Sequence, residues 1–123
     1  MFNRLRAYEL AFELAMEIFY ISKNFPKEEK YSLTDQIRRS SRSVCANIGE
    51  AYRKRQYKAY FISKLSDSDM ENTETQIWLS FAFKCNYINT EEYEDLIRKS
   101  FEIGRIVSYM IKFPSKFLPA KSN

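Results

Sequence analysis

The sequence predicts an all-α fold, an antiparallel up-down-up-down four-helix bundle, on three observations. Only two Gly and three Pro occur in 123 residues, so little material is present for hairpins and tight turns. Helix-breaking residues divide the chain into four segments, and apolar residues recur in each segment with helical periodicity. Four helices with short connections typically form such a bundle. We expect one bundle domain over residues 1 to 114 and a disordered tail over residues 115 to 123.

Helix one is predicted over residues 4 to 24, and Pro26 ends it because the residue before a proline avoids helical dihedrals. Helix two is predicted over residues 32 to 52, with Ser32 as its N-cap and Asp35 at the capping-box position. At about 100° per residue, each helix has a core-facing stripe. The stripe of helix one comprises Tyr8, Ala11, Phe12, Ala15 and Phe19, and that of helix two comprises Leu33, Ile37, Ser41, Val44, Ile48 and Ala51.

Helix three is predicted over residues 56 to 86, and helix four extends from an N-cap at Thr90 to the break at Pro114. Gly104 lies within the inward stripe of helix four, which predicts the close approach of a neighbouring helix. The predicted core residues are Phe61, Leu65, Ser68, Asn72, Gln76, Leu79 and Phe83 on helix three, and Tyr93, Leu96, Ile97, Ser100, Val107 and Ile111 on helix four.

Two of these core positions, Asn72 and Gln76, are polar and lie in the middle of the helix-three stripe. Polar groups near a core must find hydrogen-bond partners. We therefore predict a buried network that sets the register of the helices. A ligand pocket is the alternative.

Helices one and three also have a second set of apolar residues outside their predicted core stripes. Exposed apolar surface on a small protein usually marks an interaction site, and closed symmetric assemblies are the commonest way for one chain to bury it. The alternative is burial within a broad face of one chain. The predicted homo-oligomer interface comprises Leu10, Leu14 and Ile21 on helix one and Met70, Ile77, Trp78 and Phe81 on helix three.

The net charge of +4 is unevenly distributed along the chain. Residues 38 to 64 include eight basic residues and one acidic residue, whereas residues 65 to 95 include eight acidic residues and one basic residue. Arginine suits bidentate phosphate recognition, and a basic helix face is typical of nucleic-acid binding. The predicted phosphate-binding residues are Arg38, Arg39, Arg42, Arg53, Lys54, Arg55 and Lys58, and Tyr52, Tyr57 and Tyr60 are placed to stack on unpaired bases.

A purely structural role for this basic face is the alternative. Asp35 has the spacing for ion pairs with Arg38 and Arg39, and the acidic helix three of the same or a neighbouring subunit is able to pair with the remaining arginines. The tyrosines are then packing residues.

The absence of His and the wide separation of the two Cys argue against the common catalytic and metal-binding arrangements. We expect no catalytic residues, no metal site and no cofactor, and hence a protein that is not an enzyme. No apolar run approaches the roughly 20 residues of a membrane span, and the N-terminal residues are too charged for a signal peptide. A cytoplasmic protein with no membrane partner is expected.

Three stretches of the sequence resemble one known family. They are the Phe25-Pro26 break with Glu29 after it, LTDQIRRSSRSVCANIGEA at residues 33 to 51, and SDSDMENTETQ at residues 66 to 76. Over roughly residues 5 to 113 the chain resembles the small bacterial four-helix bundle proteins often encoded in intervening sequences of 23S ribosomal RNA genes. That family is similar to the accessory variability determinant of diversity-generating retroelements, a basic pentameric bundle that works with a reverse transcriptase and nucleic acid.

The resemblance implies a homopentamer that binds RNA or DNA, with a reverse transcriptase or another protein as a further partner. Together with the basic helix face, it predicts a non-enzymatic, oligomeric nucleic-acid-binding bundle. The alternative is a protein-interaction or structural scaffold with no nucleic-acid role.

Overall fold

Four α-helices account for most of the chain, as the apolar periodicity predicts. A computed structural model describes residues 5 to 119, so the predicted start of helix one and residues 120 to 123 of the tail lie outside the described residues. The helices are α1 (Arg6–Ser22), α2 (Leu33–Arg53), α3 (Lys58–Lys84) and α4 (Thr90–Lys112). Short 3-10 turns follow α1 at Lys27–Glu29 and α4 at Pro114–Lys116.

Cross-helix hydrogen bonds show that consecutive helices run antiparallel. Between α1 and α2, Arg38 contacts Ser22 and Cys45 contacts Tyr8. Residue numbers therefore rise along α2 in the direction in which they fall along α1. The same reversal holds for α2 with α3 (Ser40 to Thr75, Val44 to Ser68) and for α3 with α4 (Gln76 to Ser100, Ser80 to Tyr93). Helix α4 also packs on α1, which closes the bundle.

The core lies between the four helices, and α2 matches its predicted stripe completely. All six predicted residues of α2 are buried. In α3 and α4 most predicted residues are buried. Each helix is rotated slightly from its predicted orientation, so the core also includes Thr75, Ala82, Ile103 and Met110. The predicted core residues of α3 and α4 that are only half-buried are Gln76, Phe83, Tyr93, Ile97 and Ile111.

The prediction for α1 is only partly correct: Ala11 and Ala15 are buried as predicted, but Tyr8 and Phe19 are only half-buried. Leu14 and Ile18 lie in the core beside the small residues Ala7 and Ala11, whereas Phe12 is 52% exposed. Alanines allow neighbouring helices to approach closely, and a face that combines them with Leu14 and Ile18 fits the available space better than one with bulky aromatic rings. The larger side chains therefore remain outside.

The second apolar face predicted for helix one must also be corrected. Leu14 is buried, and Leu10 and Ile21 are half-buried and pack against the core. These three residues therefore do not form an exposed surface. The residues of α1 that do so are Phe12, Met16 and Tyr20.

The tail prediction is wrong for residues 115 to 118. After the turn at Pro114–Lys116, Phe117 and Leu118 pack against the core. The ring of Phe117 lies 6.5 Å from that of Phe61, measured between centroids. Burial of these two apolar side chains stabilises the contact of this segment with the bundle.

The helix starts differ from the predicted caps. Asn89, and not Thr90, is the N-cap of α4, where its side chain and that of Glu92 form a reciprocal capping box. Ser32 is the N-cap position of α2, but its hydroxyl donates to Glu29 Oε1 at 2.6 Å and does not cap the helix through its own oxygen. The predicted capping box with Asp35 is therefore absent from the start of α2.

Glu29 instead joins the start of α2 to the connection between α3 and α4. Its Oε1 accepts from the Leu33 backbone N–H at 3.4 Å as well as from Ser32, and its Oε2 accepts from the Tyr87 hydroxyl at 2.8 Å. The hydrogen bonds from Ser32 and then Tyr87 lower the pKa of Glu29. The same carboxylate raises the pKa of Tyr87 to about 12.

We expect Glu29→Gln to lower the melting temperature at pH 7 by about 3 to 5 °C, because a charged acceptor of three donors is lost. A carboxylate whose pKa is lowered in the fold stabilises it above the pKa of an unfolded glutamate, about 4.3, and this stabilisation is lost as the pH falls through the folded value. Circular dichroism melts should therefore show the two proteins converging below about pH 4. The control is Glu28→Gln, which removes the same charge from an exposed neighbour. An equal effect of both variants would contradict the prediction.

A polar layer crosses the centre of the bundle, as predicted from the polar positions of the helix-three stripe. Asn72 Nδ2 donates to the Ser100 carbonyl at 2.9 Å, and Asn72 Oδ1 accepts from Ser100 Oγ at 2.9 Å. A Cβ atom on Gly104 would lie 3.2 Å from Asn72 Nδ2, so the predicted close approach is confirmed. We define the polar layer as Ser40, Ser68, Asn72, Thr75, Gln76 and Ser100.

Candidate functional site

Arg38 and Arg42 lie one helical turn apart on α2, against the end of α1. Arg38 Nε donates to Ser22 Oγ at 2.8 Å, and its guanidinium carbon lies 4.8 Å from the centre of the Phe19 ring. The guanidinium carbon of Arg42 lies 5.6 Å from the same ring, and Lys23 Nζ lies 4.9 Å from it. Three cations therefore converge on one aromatic side chain.

No carboxylate of residues 5 to 119 forms a salt bridge with Arg38 or Arg42. The contacts that fix both guanidinium groups are neutral, an aromatic ring for each and a serine hydroxyl for Arg38. Cations held close together without a counter-charge repel each other, and an anion placed between them relieves that repulsion. The arrangement therefore favours binding of a phosphate or another oxyanion.

Arg39 has a different environment. Its guanidinium contacts Glu74 at 2.7 Å and Glu71 at 3.3 Å, both on α3. The hydrogen bond that Arg39 donates to Glu74 is the main reason that the pKa of Arg39 is raised. The ion pairing with the acidic third helix that the structural alternative predicts is therefore present for this residue, and Asp35 has no part in it.

A furrow follows the outer side of α2 from the 3-10 turn at Lys27–Glu29 to the end of the helix. Its largest part has a volume of about 620 Å³, and its lining includes four basic side chains and one acidic side chain, Asp35. Two adjoining depressions, of about 330 and 390 Å³, share Ala46 with it and extend to Arg53. We call this feature the α1–α2 furrow; its basic lining residues are Lys30, Arg38, Arg39, Arg42 and Arg53.

The seven predicted phosphate-binding residues form two clusters and not one patch. Arg38 and Arg53 are 15 residues apart on one helix, which separates them by about 22 Å. The second cluster surrounds the connection between α2 and α3 and comprises Arg53, Lys54, Arg55 and Lys58. The α1–α2 furrow joins the two clusters.

The predicted stacking tyrosines are mostly packing residues. Arg55 covers Tyr52, with its guanidinium carbon 4.2 Å from the ring centre, and Lys54 lies 5.3 Å from the ring centre of Tyr60. Both rings are half-buried, and only Tyr57 of the three is exposed. The sequence prediction missed Tyr31 and Tyr20, which are exposed near Arg38; Tyr31 lies in a connection that has no periodic pattern.

Comparison with known proteins establishes the family. The model of the 23S rRNA-intervening sequence protein family matches residues 3–109. The chain belongs to this family. A solved crystal structure, of a protein with unknown function from the S23 ribosomal protein family of Bacteroides thetaiotaomicron VPI-5482, is similar at a TM-score of 0.78 and 34% sequence identity, covering 86% of this chain and 98% of that chain. No match is found among curated proteins.

This 23S rRNA-intervening sequence protein exposes the apolar face that was predicted on its third helix. Met70 is 73% exposed, and Ile77 and Phe81 are exposed beside it. Trp78 is half-buried and lies 5.9 Å from Phe81 between ring centres. In contrast to the residues predicted on helix one, this set is free to contact another molecule.

Other kinds of site have no support within the described part of this family member. No group of three or more Cys, Asp or Glu side chains there is arranged to hold a metal ion. None of the described helices has both the length and the hydropathy needed to cross a membrane.

Proposed function

We propose that this protein is a non-enzymatic, oligomeric nucleic-acid-binding bundle that binds RNA or DNA phosphates along the α1–α2 furrow. Arg38 and Arg42 bind at one end of the furrow and Arg53 at the other, with Lys54, Arg55 and Lys58 around the adjoining connection between α2 and α3. Arg39 is paired with Glu71 and Glu74 and is left out of this set.

The main support is the difference between Arg39 and its neighbours. Arg39 has the two carboxylates that a structural arginine needs, whereas Arg38 and Arg42 are fixed by neutral groups and face an open furrow. Two guanidinium groups without counter-charges have no internal ion pair to break on binding a phosphate. Their position favours phosphate binding over a purely structural role.

Fluorescence anisotropy with labelled RNA and DNA tests this proposal. At about 50 mM salt we expect binding that weakens steeply as salt is added, because each neutralised phosphate releases condensed counterions. The double variant Arg38→Glu with Arg42→Glu should weaken binding by roughly 10- to 100-fold. It should also make the slope of log affinity against log salt shallower by about 1.4 to 1.8, the contribution of two phosphate contacts.

The matched control is Arg98→Glu with Arg105→Glu on α4, which has no contact with α2 in the described chain. This control makes the same change in net charge at two exposed arginines. If both double variants weaken binding equally, the effect is one of net charge and not of the furrow. If the wild-type protein binds neither RNA nor DNA, the nucleic-acid role is wrong and a protein-interaction scaffold remains.

The oligomer in this proposal uses the exposed face of α3. A homopentamer and a reverse transcriptase or other protein partner are implied by the family resemblance, and the apolar surface of Met70, Ile77 and Phe81 supports an interface between copies of the chain. This face and the α1–α2 furrow use different helices. An assembly through α3 therefore leaves the furrow of each copy open to nucleic acid.

A further inference from the structure

Two exposed tyrosines lie near the arginines of the α1–α2 furrow, one of them in its lining. Tyr31 is 84% exposed and lines the furrow together with Arg38 and Arg42. Tyr20 is 59% exposed, and its ring lies edge-on to Phe19 at 5.3 Å between centroids. Because Phe19 is the ring that faces both arginines, Tyr20 lies one aromatic ring away from the same cationic cluster.

Each of these tyrosines also has a lysine beside it. Lys30 Nζ lies 5.2 Å from the ring centre of Tyr31, and Lys23 Nζ lies 5.2 Å from that of Tyr20. The lysine chains are flexible, and a ring has two faces, so a base is able to stack on tyrosine while the ammonium contacts a phosphate. Aromatic platforms beside a basic groove are the arrangement by which proteins bind unpaired strands.

A duplex does not fit this arrangement equally well. Its bases are stacked on each other inside the helix, so it offers the tyrosines only the sugar-phosphate backbone. The exposed part of a tyrosine ring has its largest free-energy gain from a base that is already unpaired. The furrow is also a linear track, which runs about 22 Å from Arg38 to Arg53.

From this geometry we infer that the α1–α2 furrow is specific for single-stranded nucleic acid, with bases stacked on Tyr31 and Tyr20 and phosphates bound by Arg38, Arg42, Lys23 and Lys30. This inference rests on the proposed nucleic-acid role of the same furrow. It adds that the ligand is single-stranded and that Tyr31 and Tyr20 contact its bases. Single-stranded RNA and single-stranded DNA share this chemistry, and the test separates them.

The test compares four labelled probes by anisotropy at about 50 mM salt: single-stranded RNA and DNA of roughly 16 nucleotides, and the duplex of each. We expect at least one single strand to bind about tenfold or more tightly than its duplex. Tyr20→Ala and Tyr31→Ala should each weaken single-strand binding at least about fivefold, the lower limit for one stacked base, and leave duplex binding unchanged. Tyr20→Phe and Tyr31→Phe should retain wild-type affinity, because the ring is kept.

Phe101→Ala on α4 is the matched control, since it removes an exposed aromatic ring from a helix that does not pack on α2 in residues 5 to 119. The tyrosine variants remove no charge, so their salt slopes should equal that of the wild type. Equal or tighter binding of the duplexes, or unchanged single-strand binding by both alanine variants, overturns the inference while leaving the nucleic-acid role intact. Absence of binding to all four probes overturns both.

Discussion

Replacing Asn72 with alanine is expected to lower the free energy of unfolding by about 2 to 4 kcal/mol, the largest loss from any single polar side chain in the bundle. Asn72 is almost completely buried, and its amide makes both a donor and an acceptor contact with Ser100. Alanine leaves a cavity and removes the acceptor of the buried Ser100 hydroxyl. Urea denaturation followed by circular dichroism, at one fixed protein concentration, measures the loss.

The control for this variant is Thr73→Ala, one residue along the same helix. The Thr73 side chain is exposed and its hydroxyl contacts only a carbonyl of its own helix, so we expect a change within about 0.5 kcal/mol. A similar loss from both variants would show that the polar layer has no special part in stability.

A double-mutant cycle with Gly104 tests the packing of the polar layer directly. Gly→Ala within a helix usually stabilises by about 1 kcal/mol, but here the new Cβ would meet Asn72 Nδ2 at 3.2 Å. Because hydrogen bonds to Ser100 prevent Asn72 from moving away, we expect Gly104→Ala to give no gain in the wild type. In the Asn72→Ala background the contact is absent, so the usual gain should return. Equal effects in the two backgrounds would contradict this account.

The polar layer matters to the candidate site because it fixes the register of α2 against α3. Ser40 contacts Thr75 at 2.9 Å, one residue from the contact of Arg39 with Glu74. A different register would move Arg39 away from its carboxylates and change which arginines of α2 lack a counter-charge. The uncompensated state of Arg38 and Arg42 therefore depends on buried polar contacts as well as on the surface.

The predictability of each helix from sequence depended on the contrast between its faces. The faces of α2 alternate between apolar or small residues and arginines, so every residue of its predicted stripe is buried. In α1, apolar residues occur on several sides, so the predicted stripe combines Ala11 and Ala15, which are buried, with Phe12, which is exposed. Side-chain size along one helix does not reveal how closely the neighbouring helices approach.

The residue types of the candidate site could be predicted from the sequence, but the specific ion pairs of its arginines could not. The arginines of α2 were all identified, yet the partners of Arg39 lie 32 and 35 residues away. Those contacts depend on how α2 and α3 pack, which no local pattern determines. Tyr31 was missed for a related reason, because only the folded chain brings its connection next to Arg38.

In size-exclusion chromatography with light scattering, we expect the wild-type protein to be an oligomer and the Phe81→Glu variant to be a monomer. The exposed face of α3 loses apolar area and gains a charge that is costly to bury between subunits. The buried indole N–H of Trp78, next to Phe81, has no acceptor among the described residues. A second chain packed on this face is able to supply that acceptor. For the wild type, the family resemblance leads us to expect a mass close to five times 14.7 kDa.

The matched control is Phe101→Glu, which makes the same substitution at a similarly exposed site on α4. If Phe101→Glu dissociates the assembly and Phe81→Glu does not, the interface lies on α4. A wild-type monomer at micromolar concentration would show that the exposed α3 face serves some other contact. Trp78 is the only tryptophan, so its fluorescence should shift to longer wavelength on dissociation.

The same variant separates the contribution of assembly from that of the furrow. A monomeric Phe81→Glu protein keeps every residue of the α1–α2 furrow, so its affinity for a short strand that occupies one furrow should match that of the wild type. A long strand is able to occupy several furrows of one oligomer, where each further contact is intramolecular and raises the overall affinity. We therefore expect the monomer to lose affinity for long RNA only. An equal loss for both lengths would place the strand at the subunit interface and not along α2.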